Sequence, residues 1–150
     1  MRTFAHLAEL AALEGHEIGT SDWVVVDQAR IDQFAHATGD AQWIHVDPAR
    51  AAAGPFGATV AHGFLTLSLL SELMAAAFTI ADVRMGLNYG LDRVRFPSPV
   101  PVDSRLRAQC RLAKYEAIEG GAQLTITVTV EREGGAKPAC VAEWITRHFT

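Results

Sequence analysis

Residues 59–81, TVAHGFLTLSLLSELMAAAFTIA, form the longest apolar run in the chain and decide its architecture. Large apolar side chains recur there at helical spacing, and most positions between them are Ala, Thr or Ser. A helix that is apolar on nearly all sides is buried on several sides or spans a membrane. Because the run also contains His62, Ser68, Ser71 and Glu72, a membrane span is disfavoured. We therefore predict one central helix around which the other elements wrap.

The start of this run also has functional interest. Gly63 follows His62 where the helix begins, so free backbone N–H groups lie beside a residue that lets a ligand approach closely. The Gly63 N–H is a candidate donor to an oxyanion, and the alternative is that Gly63 is needed for close packing. His62 is either a second base or a capping group.

After the central run the pattern changes to a period of two. Alternating residues predict strands over residues 84–96, Ser104–Ile118, 123–131 and 139–149, with glycine pairs at 120–121 and 134–135 as turns. Long antiparallel strands with one apolar face, preceded by a helix, indicate an α+β layer arrangement. The simplest packing wraps the sheet around the helix.

The first third of the chain predicts shorter elements. An amphipathic helix over residues 3–14 and a strand over residues 21–26 come first. Asp27 is typical of the N-cap of a helix over Gln28–Thr38, and Gly39 ends that helix. Asp47 and Pro48 begin a second, short helix, so the loop between the two is fixed at both ends.

Composition narrows the classes of partner. A chain of 150 residues fits a single domain, residues 1–150. The formal net charge is −4 and no basic run occurs, so neither nucleic acid nor an anionic membrane is expected as a partner. No secretory signal is recognisable, and Cys110 and Cys140 lie in strand-like segments as reduced thiols, which favours the cytoplasm. No Cys or His spacing indicates a metal site.

Asp40 and His45 are the first candidates for chemistry. A carboxylate and an imidazole five residues apart in a short, fixed loop form a general acid–base pair if they converge. The alternative is a turn-capping aspartate beside a structural histidine, and spacing alone favours that alternative slightly.

Other charged residues are weaker candidates for a functional role. Arg93 and Arg95 share a predicted strand face and are candidates for contacts with phosphate, although solvated arginines are more common. Glu72 on the central helix needs a partner, a wet cavity or a surface position. The remaining histidines are expected at solvent-facing or terminal positions: His6, His16, His36 and His148.

Three motifs together resemble one family. They are Phe34-Ala35-x-x-Thr38-Gly39-Asp40, then Ile44-His45, then Ala61-His62-Gly63-Phe64-Leu65-Thr66. With YGLDRVRFPSPVPV at residues 89–102, the chain is similar over nearly its whole length to the MaoC-like dehydratases, or (R)-specific enoyl-CoA hydratases, including nodulation protein N-like members. The resemblance implies the hot-dog fold, a long helix wrapped by an antiparallel sheet, paired into a homodimer.

The same resemblance implies an activity and its residues. It implies reversible syn hydration of a trans-2-enoyl-CoA to an (R)-3-hydroxyacyl-CoA, with no metal or redox cofactor. Asp40 and His45 would hold one water, one residue taking a proton and the other supplying one, while the Gly63 N–H stabilises the enolate. Gln42 and Trp43 depart from the Asn-Pro of many members; we expect Gln42 to brace the loop and Trp43 to widen the wall of the site.

The predicted contacts with an acyl-CoA thioester are therefore Gln42, Trp43, His62, Arg93 and Arg95. Two other functions stay open. A hot-dog thioesterase would use a carboxylate on the central helix, where Glu72 is the only one. A non-catalytic acyl-CoA-binding protein would tolerate loss of Asp40.

Overall fold

The central run forms a helix in two segments rather than one. The computed structural model describes residues 1–150. Helix α4 spans Gly63–Ser68 and α5 spans Leu70–Ala77, and Leu69 joins them with φ −68° and ψ −10°. The apolar run of residues 59–81 therefore extends beyond the helix at both ends; the helix begins at Gly63, as the sequence indicates, but ends at Ala77, earlier than expected. Val60 forms a β-bridge with Pro101, and residues 78–80 become a strand.

An antiparallel sheet wraps this helix. Its strands are β2 (Glu17–Thr20), β3 (Val24–Val26), β5 (Met85–Arg95), β6 (Ser104–Ile118), β7 (Gly121–Arg132) and β8 (Cys140–Phe149). The order is β2-β6-β7-β8-β5, and β3 continues alongside β6. Two further short strands, β1 (Arg2–Phe4) and β4 (Phe78–Ile80), pair in parallel at the end of the helix. This arrangement confirms the predicted α+β, helix-in-sheet architecture.

The core lies between the helix and the concave face of the sheet. Alternate residues of β7 are buried, among them Leu124, Ile126 and Val128. They belong to the same apolar cluster as Leu65 and Leu73 of the helix. The period-two pattern read from the sequence is thus the direct result of one face packing on a helix.

The first third of the chain corrects two predictions. Residues 3–14 form the end of β1 and a 3₁₀ helix over Leu7–Leu13, not one amphipathic helix. Strand β2 was missed, because its four residues carry no alternation long enough to detect. Helices α1 (Gln28–Thr38) and α3 (Pro48–Ala52) fall where expected, whereas the single turn α2 (Trp43–Val46) lies in the segment that was predicted to be a loop.

The two flanks of the central helix are covered unequally. On one flank β2 and β6 pack on α5 and β7 contributes to the same apolar cluster, and we call this the closed flank. On the other flank lie β5, which is an edge strand, and the helix positions Phe64, Leu67, Ser68 and Ser71, and we call this the open flank. A cavity of about 370 Å³ separates α4 and α5 from β5 there. No helix of the chain is long and apolar enough to span a membrane.

Candidate active site

The loop that carries Asp40 is set by the end of α1. Gly39 adopts a left-handed conformation with φ 77°, and its N–H donates to Ala35 O at 2.8 Å. Glycine is favoured there because other residues adopt this conformation only with strain. The Asp40 side chain that follows is exposed and makes no hydrogen bond within the chain. It is therefore free to contact a ligand.

His45 is buried and fixed by its neighbours. Its Nδ1 lies 2.6 Å from Val60 O, and Val60 N–H donates to Ile44 O at 3.0 Å. Gln28 Nε2 donates to His45 O at 2.8 Å. Because a carbonyl oxygen only accepts, the hydrogen sits on Nδ1 and Nε2 keeps a free lone pair. No pattern in the sequence indicated that Val60 anchors His45.

The two candidates converge, which is the condition that the acid–base interpretation required. The carboxylate of Asp40 and the ring nitrogens of His45 and His62 lie within 4.8 Å of one another. Burial lowers the pKa of His45, the bond to Val60 O raises it, and a positive charge on His62 would lower it further, whereas the Asp40 carboxylate raises it. Burial has the largest effect, so His45 is a neutral base at neutral pH.

His62 lies behind this pair rather than on its surface. It is 2% exposed, its ring stacks on that of His45 with centroids 3.7 Å apart, and Phe34 covers it at 5.0 Å. Its Nε2 lies 2.9 Å from Asp40 O. The prediction that His62 contacts substrate is therefore corrected, because no part of a ligand reaches a side chain enclosed in this way.

These three side chains are also the one cluster that has the composition of a metal site. The two imidazole rings are stacked with an angle of 24° between their planes. A metal bound by imidazole lies in the ring plane about 2 Å from the nitrogen. Two nearly parallel planes do not meet at that distance, so this arrangement does not fit a shared ion.

Gly63 is the first residue of α4, directly after His62. Its N–H makes no hydrogen bond within the chain, so it is available to a ligand. A Cβ at this position would lie 2.9 Å from the Phe96 ring. Close packing on Phe96 therefore accounts for the glycine, and its N–H stays a candidate donor to an oxyanion.

Comparison with known proteins shows the family of the chain. The family model of the MaoC-like domain matches residues 9–134. The chain belongs to the MaoC-like dehydratase family. It is 56% identical to 3-hydroxyacyl-thioester dehydratase Z of Mycobacterium tuberculosis over 99% of each chain. It is 51% identical to nodulation protein N of Rhizobium leguminosarum bv. viciae, covering 93% of this chain and 89% of that one.

Solved structures show the same fold at lower sequence identity. The (R)-hydratase of A. caviae superposes with a TM-score of 0.71 at 24% identity, covering 89% of this chain and 94% of that one. R-hydratase PhaJ1 of Pseudomonas aeruginosa gives 0.73 at 21% identity, covering 90% and 81%. The hot-dog fold implied by the sequence motifs is thereby confirmed.

Gln42 and Trp43 take different places in this MaoC-like domain. Gln42 is the exposed N-cap of α2, and its side chain makes no hydrogen bond, so the expected bracing of the loop is absent. Trp43 packs on Gly54, where a Cβ would lie 3.0 Å from its ring, and Arg50 stacks over it at 4.4 Å. Trp43 therefore joins α2 to α3 with part of its ring exposed.

The two arginines of β5 are both exposed. Arg93 has φ 51° within a bulge between Asp92 and Arg95, and its Nη1 lies 3.2 Å from Glu143 Oε1. Arg95 has no acidic partner, and its Nη1 donates to Val94 O at 2.7 Å. The bulge breaks the simple alternation that placed both arginines on one face. Of the two arginines, Arg95 is therefore the one whose charge is not paired with a carboxylate.

Glu72 occupies a surface position. Its carboxylate accepts from Arg30 Nη1 at 3.0 Å and its side chain is 48% exposed. It lies nine positions after Gly63 along α4 and α5, which is roughly 13 Å along the axis. It is therefore remote from Asp40 and His45.

His148 is the polar residue that sequence reasoning placed wrongly. It was expected at a solvent-facing or terminal position, but it is 6% exposed, and its Nε2 lies 2.9 Å from Thr146 Oγ1. Burial lowers its pKa. With Ser71 and Asn88 it lines a second cavity of about 220 Å³ that continues from the first along the open flank. The period-two alternation of His148 with Trp144 and Thr146, which are both buried, was the pattern that indicated its burial.

Proposed function

We propose that this protein catalyses the reversible hydration of a trans-2-enoyl thioester to an (R)-3-hydroxyacyl thioester. The observation that carries the proposal is the convergence of the Asp40 carboxylate with His45, whose Nδ1 is bonded to Val60 O so that Nε2 is left free. High identity to a relative named 3-hydroxyacyl-thioester dehydratase supports the same reaction.

The two residues have distinct roles in this proposal. An ionised carboxylate only accepts hydrogen bonds, so Asp40 holds and orients the water. His45 Nε2 takes a proton from that water as its oxygen bonds to C3. The imidazolium then delivers the proton to C2 on the same face, which gives syn addition. Asp40 stabilises the imidazolium while it exists, in accord with the rise it causes in the pKa of His45.

The Gly63 N–H supplies the remaining stabilisation. Attack at C3 moves negative charge onto the thioester oxygen, and a fixed amide donor lowers the energy of that enolate. The free N–H at the start of α4, one residue after His62, supports this assignment. The hydroxyl group of the water ends on C3 and its proton on C2, and the chain's own residues suffice for the proton transfer.

The acyl carrier is proposed to be coenzyme A. Arg93 and Arg95 have exposed guanidinium groups on β5 that suit phosphate, and Gln42 and Trp43 lie on the loop beside Asp40.

The two cysteines are buried free thiols, with the pKa of Cys110 raised to about 12 by burial. Thiols of this kind fit a protein of the cytoplasm.

A homodimer through β5 is part of the proposal. This strand has a partner on one side only, and it exposes Met85, Leu87, Tyr89 and Leu91. Exposed apolar edge strands pair with other chains unless they are covered. A two-fold dimer that joins two β5 strands is the simplest closed arrangement, and it would cover the cavity of the open flank.

The rival functions have less support. A thioesterase would need Glu72 at the chemistry, but that carboxylate is paired with Arg30 on the surface. A non-catalytic binding protein would not require a free His45 Nε2 beside the Asp40 carboxylate. Glu72→Gln is expected to keep hydratase turnover within a few-fold, and complete loss in a folded variant would favour the thioesterase.

The direct test mixes purified protein with crotonyl-CoA and with longer enoyl-CoAs. Loss of the enoyl absorbance, with an (R)-configured product on chiral analysis, is the expected result. A thiol reagent run in parallel reports hydrolysis. Release of free CoA without hydration would overturn the proposal.

A further inference from the structure

His62 is a second buried histidine for which the proposed chemistry has no role. Its ring lies between His45 and Phe34, and its Nε2 lies 2.9 Å from Asp40 O. It therefore contacts both members of the candidate pair, one through the ring face and the other through the backbone. No other side chain in the structure bonds to the Asp40 peptide carbonyl.

The bond to Asp40 defines the tautomer of His62. Since the carbonyl of Asp40 only accepts, the hydrogen sits on Nε2 and Nδ1 carries a lone pair. That Nδ1 is buried and has no hydrogen-bond partner. A buried acceptor without a partner costs stability, commonly about 1–3 kcal/mol. A phenyl ring would fill the same space without this cost, so the value of an imidazole here lies in its N–H.

Asp40 needs such a restraint. Its own N–H reaches only Thr38 Oγ1, at a long 3.4 Å, and its side chain has no partner. Gly39 before it supplies a left-handed turn rather than rigidity. The bond from His62 is the contact that fixes the orientation of the Asp40 peptide, while stacking fixes the ring of His45.

We propose that His62 is a positioning residue that sets the separation between the Asp40 carboxylate and His45 Nε2. This inference rests on the proposed hydratase function. It assigns His62 no contact with substrate, in agreement with its 2% exposure. Small displacements of reacting groups are costly, because a shift of about 1 Å lowers a rate by as much as about 100-fold.

Two variants separate the bond from the ring. His62→Phe keeps a ring to stack on His45 but removes the N–H, and it also removes the unsatisfied Nδ1. His62→Gln keeps an N–H at about the position of Nε2 but removes the ring. If His62 has only a structural role, His62→Phe should be the milder of the two changes in every measurement, because it packs better.

The positioning role predicts the opposite order in activity. His62→Phe is expected to unfold at or above the wild-type temperature and to lower kcat about 10- to 100-fold at unchanged KM. His62→Gln is expected to retain more of kcat than His62→Phe despite a lower unfolding temperature. A His62→Phe variant with wild-type kcat would overturn the proposal, and so would a fall in KM and kcat together.

A measurement without turnover keeps the inference apart from the proposed function. The ¹³C resonance of the Asp40 carbonyl and the ring ¹⁵N resonances of His45 report the two contacts directly. Both are expected to move in His62→Phe, and the carbonyl resonance is expected to stay near its wild-type position in His62→Gln. If wild-type protein hydrates no enoyl thioester but these shifts occur, the function fails and the positioning stands. Unmoved resonances in His62→Phe would refute the positioning.

Discussion

The closed and open flanks of the central helix are made of similar residues but are covered very differently. On the closed flank Leu106, Leu112, Leu124 and Ile126 are fully buried. On the open flank Leu87 and Leu91 remain 46% and 42% exposed, although they too belong to a long strand of the same sheet. The difference arises because β5 has one neighbour instead of two and faces small, polar positions of the helix. Folding stability therefore resides in the closed flank, and the open flank is available for function.

The catalytic pair gives the largest expected effect. Asp40 and His45 converge beside His62, the residue that directly precedes α4. Asp40→Asn and His45→Gln are each expected to lower kcat for enoyl-CoA hydration about 10²- to 10⁴-fold, because each removes a group that handles water or its proton.

The measurement is the initial rate with crotonyl-CoA, together with the unfolding temperature. Asp22→Asn and His36→Gln are matched controls at exposed positions away from the pair, and both should leave the rate unchanged. Near wild-type turnover in either Asp40→Asn or His45→Gln would end the assignment of a paired site.

Stability is expected to depend on the closed side of the helix. Leu73→Ala removes a fully buried side chain and should cost about 2–5 kcal/mol of unfolding free energy. Leu67→Ala, on the open flank of the same helix, should cost about 1 kcal/mol. Urea unfolding at one fixed protein concentration measures both. Equal losses would mean that the open flank is as well packed as the closed one.

Assembly is expected to depend on the open flank. Leu91→Asp places a charge where the proposed dimer buries an apolar side chain, so it should raise the dimer dissociation constant at least about tenfold, or 1.4 kcal/mol. Val25→Asp is the control, because Val25 is 50% exposed on β3 at the opposite side of the sheet. Sedimentation of both variants tests this. A wild-type protein that is monomeric and fully active would remove the dimer from the proposal.

The acid limb of activity tests the burial of His45. Hydration needs neutral His45, and burial lowers its pKa below 6.5, so kcat/KM should stay high until the pH falls below that value. Because the Asp40 carboxylate raises this pKa, the residual activity of Asp40→Asn should have its acid limb at still lower pH. A midpoint above 6.5 in the wild-type protein would show that His45 is more solvated than its position indicates.

The sequence predicted the parts of the molecule that depend on local patterns. Strand Ser104–Ile118 and helix Gln28–Thr38 have the predicted bounds, because alternation and caps are local. The loop between Gly39 and Asp47 left the convergence of Asp40 and His45 open, and it was the resemblance of the motifs to the family that implied it.

The misplaced features depend on contacts between distant segments. The helix ends at Ala77 because residues 78–80 pair with β1, a partner about 75 residues away in the sequence. His62 was predicted to contact substrate, because its position behind His45 follows from the fold and cannot be read from the sequence. His148 was expected at the surface because it lies near the C-terminus, although it alternates with buried residues of β8.

The smallest expected effect concerns the two arginines at the edge of the open flank. Arg95 has no acidic partner, whereas Arg93 is paired with Glu143 and must leave it to bind a phosphate. Arg95→Ala should therefore raise KM for crotonyl-CoA about two- to fivefold, the size expected of an exposed charge pair, and Arg93→Ala should raise it less. Neither should change KM for a truncated enoyl-pantetheine, which lacks the nucleotide phosphates. Arg105→Ala, which breaks an exposed pair with Glu133, is the control for loss of charge alone. If KM rises equally for both substrates, or for neither, the arginines do not contact the nucleotide, and the open flank binds only the acyl and pantetheine portions.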